Sequence, residues 1–254
     1  MKAALYQGQG KIEISTLPDP VCTDDGVILE NIYASICGTD VAVYKHGTGL
    51  GHRITVGGEF GHEVVCRIKE KGKNVTNLSV GDRVYPYPRL VTGDKSKAGT
   101  IGGFSEYIKS PVTRNGVEVY KLSDKISDRT AVLIEPFTVG CRAARRAFPR
   151  QGENAIVFGA GTIGIGAAIA LKHFGCEKVM ICDYSDFRLE IARRLGFEVC
   201  NNSKEDLNLK AQTYFGQGYG YKGQTSAADI YIDAAGSDSI LDYYQGNGKV
   251  DSRL

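Results

Sequence analysis

The stretch Ala155-Ile156-Val157-Phe158-Gly159-Ala160-Gly161-Thr162-Ile163-Gly164 decides the fold. Four consecutive apolar residues fit a strand covered on both faces. A glycine cluster follows, and then Ile163–Phe174 places its apolar residues at helical spacing. A second apolar run at Lys178–Cys182, a second helical stretch at Asp186–Leu195 and a third run at Phe197–Cys200 continue the pattern. Strands alternating with helices build a parallel sheet with right-handed crossovers. Upstream the texture is different. Met1–Leu5, Val27–Ile32, Glu63–Lys69, Arg83–Tyr85 and Glu106–Ile108 are short apolar or alternating runs, separated by turn signals such as Asp24-Asp25-Gly26 and Gly81-Asp82. The reading is a β-rich part over 1–148 and an α/β part over 149–254, punctuated by Pro149-Arg150-Gln151-Gly152. Tyr214–Gln224, rich in Gly, Tyr and Gln, reads as a surface loop ahead of a strand at Asp229–Ile232.

Composition narrows the function classes. The 254 residues carry a formal charge of +2, which gives no reason to expect nucleic acid or an anionic membrane as a partner. No apolar run reaches the ~18 residues of a membrane span, and the first residues lack a signal-peptide pattern, so a cytoplasmic protein is expected. The seven cysteines are odd in number and no two are spaced as CxxC, which speaks against a disulfide framework.

The turn Gly159–Gly164 is a GxGxxG motif in the context that gives it meaning, after a strand and opening a helix. Gly159 makes the tight turn, Gly161 lets a pyrophosphate approach the backbone, and Gly164 lets helix and strand pack closely. Thr162 and Ile163 open a helix whose N-terminus faces phosphate charge. Asp183 ends the second strand nineteen residues after Gly164. A carboxylate there accepts hydrogen bonds from the adenosine ribose and repels a 2′-phosphate, favouring NAD over NADP. Arg188, close by in sequence, is a candidate for adenine contact or a solvated helix-start arginine.

Candidate metal ligands are spread over three segments: Cys37 in Cys37-Gly38-Thr39-Asp40, His62-Glu63 after Gly61, and Glu135 in Ile134-Glu135-Pro136. Taken singly, each reads equally as buried filler, a core histidine or a surface charge. Neighbours on an extended strand point to opposite faces, so His62 and Glu63 converge only where the chain bends. Cys66 lies ~13 Å along such a strand from His62 and is no candidate.

In order, Cys37–Asp40, Gly61–Glu63, Gly81–Val84, Gly102–Tyr107, Ile134–Pro136 and Gly159–Gly164 resemble the motifs of the zinc-dependent medium-chain alcohol and polyol dehydrogenases, over Met1 to about Gly236. The resemblance implies a GroES-like catalytic domain over 1–148 and a Rossmann NAD-binding domain over 149–254. It implies oxidation of a small secondary alcohol or polyol by hydride transfer to NAD. Cys37 and His62 become zinc ligands, with Glu63 or Glu135 as the third and Glu63 favoured. Zinc would act as Lewis acid on the substrate hydroxyl. Thr39 stands where the family hydrogen-bonds the substrate oxygen. The usual relay histidine is replaced by Ala42, which leaves water or His46 as the proton outlet; His52 and His173 read as surface residues. A homo-oligomer is a further implication, although the far edge of the sheet, through which the family often dimerises, is among the parts this chain is expected to lack.

Two departures stand out. Tyr85–Ile101 is short and holds no cysteine, so one catalytic zinc and no structural zinc are expected. About four of the six parallel strands of a full dinucleotide fold can be counted, some 60–100 residues short at 30 or more per βαβ unit. The expectation is an incomplete fold with an exposed apolar edge at its fourth strand. Two functional readings follow: an enzyme of which this chain is a truncated form, active or inactive, or a non-catalytic module binding zinc and nucleotide.

Overall fold

The computed structural model describes residues 1–47, 54–91 and 101–254. His52 and most of the Tyr85–Ile101 interval lie outside the described residues. Contacts divide the chain into two compact units, Met1–Glu135 and Pro136–Leu254.

The first unit runs β1 (Lys2–Tyr6), β2 (Ile12–Thr16), β3 (Val27–Ser35), α1 (Gly38–His46), β4 (Gly58–Glu59), β5 (Glu63–Lys71), β6 (Arg83–Pro86), β7 (Tyr107–Ser110), β8 (Val119–Lys121) and α2 (Asp128–Ala131). Its larger sheet is antiparallel, in the order β7-β3-β5-β6-β8, and a smaller sheet runs β2-β1-β4. Inward residues of the larger sheet, among them Leu29, Cys66, Ile68, Val84 and Ile108, form one apolar core. Cys66 is fully buried there, and burial pushes its thiol pKa far up. That is a packing role.

Helix α3 (Ile134–Arg146) crosses the division, its Pro136 tolerated because the first helical turn needs no N–H from that residue. The second unit continues with β9 (Asn154–Phe158), α4 (Thr162–His173), β10 (Lys178–Asp183), α5 (Asp186–Arg194), β11 (Glu198–Asn201), α6 (Leu207–Phe215), β12 (Gln217–Gly220), β13 (Gly223–Ser226), β14 (Ile230–Asp233) and α7 (Asp238–Asn247). The parallel sheet has the order β11-β10-β9-β14. Ala155 and Val157 of β9 join the core beneath α4, while Ile156 and Phe158 join the opposite core with residues of α6 and α7. Both faces being covered explains why these strands read as unbroken apolar runs.

Two expectations need correction, and one element goes unread. Tyr214–Gln224 is no loop: Tyr214 and Phe215 end α6, and β12 pairs antiparallel with β13 as a hairpin. Its glycines disguise it, because the hairpin draws its stability from backbone pairing rather than from an apolar face. Asp238–Asn247, for which the residue pattern predicts no element, is helix α7, held by Ile240, Tyr243 and Tyr244 against the core. Nor does the edge of β14 stand wholly exposed. Arg253 N donates to Asp229 O (2.9 Å) and Tyr231 N donates to Arg253 O (2.7 Å). Lys249 pairs with Asp229, the Arg253 guanidinium with Glu153 at 2.6 Å, and Tyr244 OH donates to Ser252 O at 2.6 Å. Residues 249–254 hold no strand-like run, so nothing in their pattern announces this pairing. Among the described residues no helix is long and apolar enough to cross a membrane.

Candidate metal centre and nucleotide cleft

Three segments of the first unit deliver the candidate ligands. Strand β3 ends at Ser35, and Cys37 stands in extended backbone at the N-terminus of α1, its N–H donating to Asp40 Oδ2 at 2.9 Å. Gly61 turns the chain at φ +88°, a conformation only glycine adopts cheaply. The turn is pinned to the Gly102–Tyr107 motif by Gly103 N donating to Gly61 O (2.8 Å) and Phe104 N donating to Phe60 O (3.0 Å). Strand β5 starts only at Glu63, so His62 precedes the strand and escapes its two-residue alternation. The bend required for convergence is therefore present. One ligand atom each from Cys37, His62 and Glu63 lies within 4.8 Å of the others.

The surroundings are those of a half-buried charged cluster. Glu63 is buried at 5% exposure. His62 Nδ1 lies 3.7 Å from Asp40 Oδ1. Burial pulls the imidazole pKa down, but the hydrogen bond to Cys37 and the charges of Asp40, Cys37 and Glu135 outweigh it, leaving His62 raised to about 9. Glu135, in the first turn of α3, stands outside the 4.8 Å group but near enough to feel it. Burial raises its pKa; His62 opposes that, while Glu63 and Asp40 add to it. Thr39 sits half-buried in the first turn of α1, with Ala42 on the same helix and His46 exposed at its end. A thiolate, an imidazole and a carboxylate make a donor set that suits zinc, and three protein donors is the number catalytic zinc sites use.

The second candidate site belongs wholly to the second unit. Gly159 turns at φ +102°, and a Cβ on Gly164 would fall 1.8 Å from Gly159 O. A Cβ on Gly161 would meet nothing within 4 Å, so the backbone here is open to a ligand. Thr162 and Ile163 form the first turn of α4. Asp183 Oδ2 accepts from Ala160 N and Oδ1 from Ser185 N, both at 2.8 Å, which ties the carboxylate to the glycine turn. Arg188 Nη1 is 3.9 Å from Asp183. A cleft of about 410 Å³ opens over the carboxyl ends of β9 and β10, lined by Gly159, Asp183, Tyr184, Arg188 and Tyr243 among others. The strand order reverses at β9, and ligands of open α/β sheets bind at such switch points. These features fit the adenosine and pyrophosphate part of a dinucleotide.

Sequence reasoning missed Asp40, Tyr184 and Tyr243. Asp40 carried a signal, an acid three residues after a helix-capping position, while Tyr184 enters the cleft from the turn after β10 and Tyr243 from α7.

A family model described as the alcohol dehydrogenase GroES-like domain matches residues 23–124, and one described as zinc-binding dehydrogenase matches residues 162–246. The chain is 30% identical to an L-threonine 3-dehydrogenase of Klebsiella pneumoniae, over 94% of this chain and 72% of that one. It is 32% identical to a sorbitol dehydrogenase of Bacillus subtilis, over 81% and 62% of the two chains. The crystal structure of 2R,3R-butanediol dehydrogenase from Bacillus subtilis superposes with a TM-score of 0.78 at 27% identity, covering 97% of this chain and 74% of that one. A GroES-like unit followed by a Rossmann-like unit, with these relatives, makes this chain a member of the zinc-dependent medium-chain dehydrogenase family.

Proposed function

We propose that this chain holds one zinc ion through Cys37, His62 and Glu63, binds the ADP half of NAD at Gly159–Gly164, and serves NAD-linked oxidation of a secondary alcohol or polyol. The observation that carries the reading is the convergence of sulfur from Cys37 with nitrogen and oxygen donors from His62-Glu63, two separate segments, within 4.8 Å. The relatives support the substrate class, since threonine at carbon 3, sorbitol and 2R,3R-butanediol all present secondary hydroxyls.

When bound, zinc supplies Lewis acidity toward a hydroxyl oxygen, and the nicotinamide ring supplies a hydride acceptor. The chain's own residues do the rest. Asp40 faces His62 and favours one orientation of its ring, as carboxylate partners of ligating histidines do. Glu135, in the first turn of α3 and outside the close group, is a reserve donor. Thr39 supplies the hydroxyl that orients the substrate oxygen. Ala42 cannot carry a proton onward, so the relay ends at solvent or at His46. Asp183 accepts from the ribose hydroxyls, and its charge rejects a 2′-phosphate. Arg188 stands on the cleft rim, where it meets the adenine edge. The chain acts in the cytoplasm on a small-molecule substrate, as a homo-oligomer, with one catalytic zinc and no structural zinc.

A second reading, zinc and nucleotide binding without turnover, draws on the backbone of Arg253, which occupies the side of β14 that a further strand would use. Calorimetric titration with NADH and with ADP-ribose, beside a screen of polyols and secondary alcohols, separates the two. Dehydrogenase action requires NADH to bind more tightly than ADP-ribose and NADH to form with at least one alcohol. Equal affinities and no NADH formation overturn it in favour of binding alone. NADP should bind more weakly than NAD by more than about tenfold, because juxtaposed like charges cost several kcal/mol.

A further inference from the structure

Strands β3 and β5 pair antiparallel, and their register changes twice, first between Ile28 and Leu29, where Lys69 is an extra residue on β5, and again after Asn31. Asn31 faces Cys66, but Tyr33 faces Val65, leaving Ile32 as an extra residue on β3. Such a bulge re-aims every side chain beyond it. In the register that holds from Leu29 to Asn31, Glu63 would lie opposite Ala34; beyond Ile32, Glu63 lies opposite Ser35. Residues directly opposite on antiparallel strands share a face, with Cβ atoms about 4.5–5.5 Å apart. The pairing is used: Ser35 Oγ donates a hydrogen bond to Glu63 Oε2. Glu63 is 5% exposed, and a carboxylate so buried depends on the donors around it. Ser35 also stands two residues before Cys37, so the segment that brings the sulfur brings the hydroxyl that restrains the carboxylate.

We infer that Ser35 is a positioning residue for the metal centre, placed by the β3 bulge to engage one oxygen of Glu63 and leave the other for the ion. The inference rests on Glu63 being a zinc donor, as proposed above. The Asp40 carboxylate is engaged elsewhere in the cluster, near His62 Nδ1 and accepting from Cys37 N. A hydroxyl also restrains without adding charge, so the donor set keeps the charge it has.

The test uses the full chain with Ser35→Ala, Ser35→Thr and Glu63→Gln. Zinc affinity is read by competition with a chelator, and geometry by the visible absorption bands of the cobalt(II)-substituted protein. Ser35→Ala should weaken zinc binding about 10- to 100-fold, as loss of a partner behind a metal ligand does, and shift the cobalt bands. Ser35→Thr keeps the hydroxyl and should stay within about threefold of the parent. In the Glu63→Gln background, Ser35→Ala should cost little more, because the two residues act as one unit. Parent-like affinity and cobalt bands in Ser35→Ala, beside a weakened Glu63→Gln, overturn the inference while the zinc reading stands. Equal losses in Ser35→Ala and Ser35→Thr also overturn it, because the hydroxyl is then not what matters. An unchanged Glu63→Gln removes Glu63 from the donor set and the inference with it.

Discussion

Gly61 shows how one residue governs the metal centre. Its φ of +88° ends the extended run, and a Cβ there would sit 2.7 Å from the Phe104 ring. Gly61→Ala should destabilise the chain by about 1–3 kcal/mol through strain and overpacking, and should lower zinc occupancy because His62 loses its exit from strand geometry. Denaturant titration and metal analysis of the purified variant check both. The ligand residues were legible as residue types in ordered motifs. Their convergence was not, since strand alternation sends His62 and Glu63 to opposite faces and only the backbone at Gly61 removes that obstacle. Ser35 could not be read at all, because its partner is set by a bulge that leaves no mark in the residue pattern. In the nucleotide turn, Gly164→Ala would press a methyl 1.8 Å from Gly159 O, where backbone cannot yield. Loss of ADP-ribose binding by calorimetry is the expected result.

At the scale of elements, the parallel strands were the most legible part. Burial on both faces fills Ala155–Phe158 of β9 and Val179–Cys182 of β10 with apolar residues, and that needs no knowledge of the neighbours. Elements that lean on others were hidden. The β12–β13 hairpin is held by its ladder, and α7 by three side chains against the sheet. The cover over β14 is the extreme case, with its backbone bonds to Asp229 and Tyr231 made by Arg253 alone. An uncovered strand edge is a template for pairing with another chain. Deleting residues 249–254 should therefore expose Ile230–Asp233 and promote self-association, seen as a concentration-dependent shift in sedimentation velocity. A deletion variant that sediments as the parent does at all concentrations would show that the cover does not guard this edge.

For the whole molecule, the division into Met1–Glu135 and Pro136–Leu254 gives each candidate site its own core. Ligands should then act on different parts of the unfolding profile. ADP-ribose at about 100 times its dissociation constant should stabilise the second unit by about 2.7 kcal/mol, whereas a chelator should destabilise the first. Calorimetric scans with each added separately check this. The proposed metal centre is tested most directly by the zinc content of the purified chain beside that of Cys37→Ser, by elemental mass spectrometry. One zinc per parent chain, lost in Cys37→Ser while ADP-ribose binding persists, is the result predicted. A parent chain without zinc, or a Cys37→Ser variant that retains it in full, would contradict the assignment.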